Sequence, residues 1–143
     1  MTKMKHADKL IGRKVKYLKK DNGVICKIAT DMRSRLVSRT KDGKDHKGSG
    51  FTGYAESTKK QKRELGRDTN LVDLTDTNTM LKGVAVGCHR NYAMIYAGAR
   101  TKVGMKHQKG MGLPKRAWFG YTKNSEKKAR KDYEKHLNKA IRK

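Results

Sequence analysis

The chain has 143 residues, about one ordinary domain, and only 34% of them are apolar, which supports one modest core and excludes a large one. Mean hydropathy is −0.98, and no apolar run approaches the roughly 20 residues of a membrane helix. Lys+Arg 37 against Asp+Glu 13 gives a net charge of +24, far above the magnitude of about 2–8 that suffices for solubility, so the expected neighbour is a polyanion: DNA phosphates or an acidic protein surface.

Residues 1–20 carry eight bases against Asp8 alone. The start Met1-Thr2-Lys3-Met4-Lys5-His6 is basic but has no apolar stretch behind it, which predicts a cytoplasmically made, soluble chain without a signal peptide. Leu10, Ile11, Val15 and Leu18 fall at helical spacing. Asp21-Asn22-Gly23 then turns a hairpin or separates two helical pieces. Residues 1–23 are therefore expected to form a basic segment that orders on assembly, ahead of a single α+β domain over 24–143.

From Val24 the pattern is cleaner. Ile25, Ile28, Ala29, Met32 and Leu36 share one stripe, which predicts a helix over 24–39. Residues 40–55 hold four glycines and few apolar side chains, so they read as a long loop. Glu56–Arg67 is polar and helix-favouring, with Leu65 as its one large apolar residue. Leu71–Leu74, Met80–Cys88 and Asn91–Ala97 are β-prone and predict a small antiparallel sheet, turned at His89-Arg90. Gly98–Gly112 is Gly-rich and basic, a short helix between loops. Trp118–Tyr121 is an aromatic strand candidate after the only proline, Pro114. The last segment is an amphipathic helix capped by Thr122, Asn124 or Ser125, with Ala129, Tyr133, Leu137, Ala140 and Ile141 as its apolar stripe. The fold class is thus α+β: a small antiparallel sheet packed with an N-terminal and a C-terminal helix.

Few patterns point to chemistry. Asp42, Asp45, Asp73 and Asp76 lie in or beside loops, where carboxylates usually cap backbone N–H groups. His6, His46, His89, His107 and His136 are scattered singly, and Cys88-His89 would point to opposite faces of a strand, so no metal is expected. Cys26 and Cys88 are far apart in sequence, form no CxxC pair, and read as reduced, small apolar residues of an intracellular protein. Gly104, Gly110 and Gly112 among Lys102, Lys106, Lys109 and Lys115 make either a phosphate cradle or a flexible surface loop, and the spacing of a Walker motif is absent. Aromatics at 6% argue against base-stacking platforms. No catalytic residue and no cofactor is expected. Lys14, Lys16, Lys102, Lys106, Lys109, Lys115 and Arg116 are the candidate contacts to DNA backbone or to acidic partners.

The order of short motifs adds to this. A helix ending at Arg39 leads to Asp42-Gly43, then Ser57-Thr58-Lys59-Lys60-Gln61-Lys62, then Leu74-Thr75-Asp76-Thr77-Asn78-Thr79-Met80-Leu81. Two strands with Tyr92-Ala93 follow, then His107-Gln108-Lys109-Gly110, Leu113-Pro114-Lys115-Arg116-Ala117-Trp118-Phe119-Gly120 and a terminal helix. From Leu36 to Leu137 this order resembles the tailed-phage virion morphogenesis family, the tail-completion or neck proteins. Asn78 stands where the family has glycine, and asparagine is the other residue that readily takes a left-handed backbone. Phe51 or Tyr54 replaces the family's aromatic after Asp-Gly, and its Phe falls at Trp118 or Phe119.

The resemblance implies a non-catalytic structural protein in a homo-oligomeric ring, hexameric or dodecameric, at the head–tail junction. Its neighbours would be head-closure or portal and tail proteins, with double-stranded DNA adjacent. Asp76, Thr77, Asn78, Pro114, Trp118 and Gly120 would then be structural. The alternatives are a free basic nucleic-acid-binding protein (DNA-compacting or ribosome-associated) and, with less support, a small nuclease.

Overall fold

The computed structural model describes residues 22–75, 79–90, 92–98 and 102–142. Lys14 and Lys16, with all but the last two positions of the expected N-terminal segment, lie outside the described residues, as do Asp76, Thr77 and Asn78.

The first helix, α1, is Asn22–Lys41. Asn22-Gly23 therefore opens a helix and turns no hairpin. Ala29 and Leu36 of its apolar stripe are buried, and Ile25, Ile28 and Met32 are half-buried. Near its end the buried Thr40 hydroxyl donates to the Leu36 carbonyl at 2.8 Å, an i−4 bond that satisfies the hydroxyl without a tertiary partner. A loop follows as expected, pinched by a bridge between Lys44 and Gly50. Helix α2 (Glu56–Glu64) is short and mostly exposed.

The expected β-run Met80–Cys88 divides. Its start belongs to a one-turn helix, α3 (Thr79–Lys82), and only Val84–Cys88 forms strand β1. Strand β2 (Ala93–Ala97) pairs with it antiparallel, from Val84↔Ala97 to Cys88↔Ala93. The His89 N–H donates to the Tyr92 carbonyl at 2.8 Å and closes the turn. Leu71–Leu74 is not a strand: Val72 and Leu74 are buried core residues on an irregular segment, and Leu74 sits at φ 53°, outside strand geometry. Helix α4 is Lys102–Lys109 and helix α5 is Lys123–Arg142. Of the three candidate caps it is Thr122 whose hydroxyl oxygen accepts the Ser125 N–H, at 3.1 Å. The inward line of α5 includes Ser125, Ala129, Asp132 and His136, all half-buried, with Leu137 beside them, whereas Tyr133 is exposed.

Leu36, Val72, Leu74, Met80, Leu81, Val84 and Trp118 form one core between α1, α3 and the hairpin. Arg33 fastens α1 to the hairpin through Nε, which donates to the Val84 carbonyl at 2.7 Å. The cysteines require a correction: Cys26 and Cys88 form a disulfide, with Cα atoms 5.5 Å apart, that joins α1 to the end of β1. Sixty-two positions separate them in sequence, but packing of the hairpin on α1 brings them together.

Candidate interaction site

The site is organised by the stretch from Pro114 to Tyr121. It is not a sheet strand, although its residues favour one: isolated backbone bonds and side chains take up its backbone groups. The Ala117 carbonyl accepts from the His46 N–H at 3.0 Å and lies 3.0 Å from His46 Nδ1. Arg39 donates to the carbonyls of Gly120 at 2.9 Å and Trp118 at 2.6 Å. The amide of Gln108 donates to the Phe119 carbonyl at 3.1 Å and accepts its N–H at 2.9 Å. Gly120 has φ 152°, and a Cβ there would come within 2.9 Å of His46 Cβ, so glycine is required on both counts.

Trp118 is 0% exposed and its indole N–H donates to the Gly104 carbonyl at 2.7 Å. Gly104 itself is buried in the middle of α4, not in a loop. A Cβ on it would lie 2.7 Å from Trp118 Cζ2 and 2.8 Å from Met80 Sδ. The sequence grouped Gly104 with Gly110 and Gly112 as either a phosphate cradle or a flexible surface loop. The structure makes Gly104 a packing contact, and Gly110 ends the helix by donating its N–H to the Lys106 carbonyl at 2.8 Å.

Helix α4 thereby has three faces. Gly104 and Gln108 face Trp118 and Phe119. Val103 and His107 line a groove. Lys102, Lys106 and Lys109, spaced four and three apart, form one exposed stripe. Lys115 is exposed nearby in sequence. Arg116, expected beside these lysines as a contact, is by contrast 3% exposed. Its Nε donates to the Thr52 carbonyl at 3.0 Å and Nη2 to the Gly53 carbonyl at 3.0 Å. Nη1 lies 3.1 Å from His107 Nδ1. A guanidinium only donates, so that nitrogen accepts and the proton of a neutral His107 is assigned to Nε2. Burial, and then the Arg116 charge, push the His107 pKa below its usual 6.5, against a hydrogen bond with the Pro114 backbone. Burial also lowers Arg116, with Tyr54 opposing.

The groove measures about 440 Å³ and runs between α2, α4 and residues 113–116. Tyr54, Leu74 and Met80 contribute to it, and Leu65, Val103 and Leu113 are exposed beside it. Lys62 Nζ stands 4.5 Å above the Tyr54 ring, and Arg116 Cζ is 5.5 Å from it. The sequence had marked Leu65 only as an isolated apolar residue. An apolar side chain on a polar helix was the one signal of this surface.

Two of the loop acids, Asp45 and Asp73, bond locally. Asp45 Oδ1 accepts the N–H groups of Lys47 and Ser49, both at 2.8 Å. Asp73 accepts the Thr75 N–H at 3.1 Å and its hydroxyl. Among the described residues no His, Cys, Asp and Glu side chains gather in a metal-binding group, and no helix is long and apolar enough to cross a membrane.

Over residues 2–138 the sequence matches the phage virion morphogenesis family. No curated protein and no solved structure matches it.

Proposed function

Because the chain belongs to the phage virion morphogenesis family, whose members serve phage particle assembly, we propose that it is a non-catalytic structural protein of the neck or tail terminus. In this reading it forms a homo-oligomeric ring that completes the tail or joins it to the head and surrounds the DNA path. The observation that carries the reading is the distribution of apolar side chains. Ten large ones are exposed among the described residues, against eight apolar residues in the buried core. Where such side chains gather on one face, they suit burial against other subunits. Met94 and Tyr96 alternate along β2, Tyr92 continues their spacing just before it, and all three are exposed, which suits this side of the hairpin to a subunit contact. The lysine stripe of α4 supplies the complementary feature, a surface that tolerates or holds phosphates without reading bases.

Mass spectrometry of purified virions, with a cryo-EM map of the head–tail junction, tests the reading. A stoichiometric ring at the junction is expected, and virions without this chain would refute it. A free nucleic-acid binder is the second reading, and the same lysine stripe favours it. It would bind duplex DNA tightly as an isolated chain at low salt, with a steep decline as salt rises.

A further inference from the structure

The groove between α2, α4 and residues 113–116 is concave, mainly apolar and basic at its edge. We propose that it docks an acidic, leucine-type peptide segment of a different virion protein. The inference takes the virion setting from the function proposed above, but the chemistry of the groove stands without it.

Three observations carry it. First, Leu65 is 64% exposed and Val103 55% exposed, and with Leu113 they come from three separate segments and converge on one concavity of about 440 Å³. Convergence from unrelated parts of the chain distinguishes a surface from scattered apolar residues. Second, Lys62, Arg67 and Arg116 line the groove, and among the described residues no acid does. Third, all three hydrogen bonds of the Arg116 guanidinium go to neutral acceptors, the carbonyls of Thr52 and Gly53 and the ring of His107, and its remaining contact is the Tyr54 ring. Its charge is thus held in place at the groove wall with no carboxylate bonded to it among the described residues, and the field it sets up favours an anionic occupant.

The same observations rank the occupants. A DNA backbone gains nothing from leucine, valine and methionine side chains, and phosphate contacts are better made by the open lysine stripe on the outer face of α4. A second copy of this chain brings another +24 of charge to a basic groove. The chain's own residues 1–20 carry eight bases and one acid, and so are mismatched in the same way. A segment with carboxylates beside aliphatic side chains fits both the floor and the edge, in the manner of an interface with an apolar centre and charged surroundings.

The test uses the full chain and a fluorescent synthetic peptide with leucine at every third or fourth position and glutamate between. Anisotropy should show saturable binding. The same peptide with glutamine for glutamate, and a polyglutamate without leucine, should each bind about ten-fold or more weakly, the loss of one strong contact or more. Val103→Glu and Leu65→Glu, both at exposed positions, should abolish binding with circular dichroism unchanged. Lys102→Gln with Lys106→Gln should leave it intact. Polyglutamate binding as well as the leucine peptide, or indifference to both groove variants, would overturn the proposal. So would competition by a short DNA duplex that is lost in Val103→Glu, or concentration-dependent self-association abolished by Leu65→Glu. Because the measurement needs no virion, its failure is separable from absence of the chain from particles.

Discussion

Gln108 holds Phe119 by both ends of its amide, donating to the carbonyl at 3.1 Å and accepting the N–H at 2.9 Å, as a neighbouring strand would. Arg39 donates to the carbonyls on either side of Phe119, those of Trp118 and Gly120. The segment that brings Pro114, Arg116 and Trp118 to the groove and core is thus positioned by side chains from α1 and α4. Arg39→Lys is expected to destabilise the protein by about 1.5–3 kcal/mol, since a single ammonium cannot replace the two-pronged guanidinium. Gln108→Glu should cost a similar amount, because a carboxylate cannot donate to the Phe119 carbonyl. Urea unfolding followed by Trp118 fluorescence checks both.

Trp118 and Gly104 are coupled in opposite senses of size. Trp118→Ala should cost about 3–5 kcal/mol through the cavity it leaves. Gly104→Ala should be destabilising by about 1–3 kcal/mol through overpacking, even though alanine ordinarily gains roughly 1 kcal/mol over glycine in a helix. Thermal melts of the two single variants decide this, and a more stable Gly104→Ala variant would contradict the close packing.

The Cys26–Cys88 disulfide closes a long loop between α1 and β1, 62 positions apart. Reduction, or Cys26→Ser with Cys88→Ser, should lower stability by roughly 2–4 kcal/mol. Denaturant curves with and without dithiothreitol, together with free-thiol titration of the native protein, are the measurement.

His107 makes stability depend on pH. Its folded pKa lies below the ordinary 6.5 because burial and the adjacent Arg116 disfavour the imidazolium. The unfolded chain therefore binds the proton more readily, so this stabilisation is fully present above 6.5 and is lost as pH falls below it towards the folded value. Protonation also removes the acceptor that Arg116 uses. His107→Gln should flatten the stability profile between neutral pH and pH 5, measured by denaturant midpoint at each pH.

For the lysine stripe the measurement is salt dependence. If Lys102, Lys106 and Lys109 each neutralise one phosphate, replacing all three with glutamine should reduce the slope of log K against log salt for duplex DNA by about 2.7. An unchanged slope would assign the stripe to protein neighbours.

By itself the sequence determined the composition-level facts and the local elements. A charge of +24 needs no fold to be felt. The helices α1 and α5 were legible because an apolar period of 3.6 is written into consecutive residues, and the hairpin because two β-prone runs flank a short turn. The family resemblance was legible because the order of motifs survives in one dimension. What only the tertiary structure decided depended on distant partners. Trp118–Tyr121 has strand-like residues but pairs with no strand among the described residues, and the side chains of Arg39 and Gln108 take up its backbone groups. Leu71–Leu74 supplies Val72 and Leu74 to the core in place of a strand. Cys26 meets Cys88 only because the hairpin packs on α1. Gly104, which looked like part of a flexible basic loop, is glycine because an indole ring occupies the place of its side chain. The groove follows the same rule: Leu65, Val103 and Leu113 are unremarkable one at a time, and become a surface only when α2, α4 and residues 113–116 are packed together.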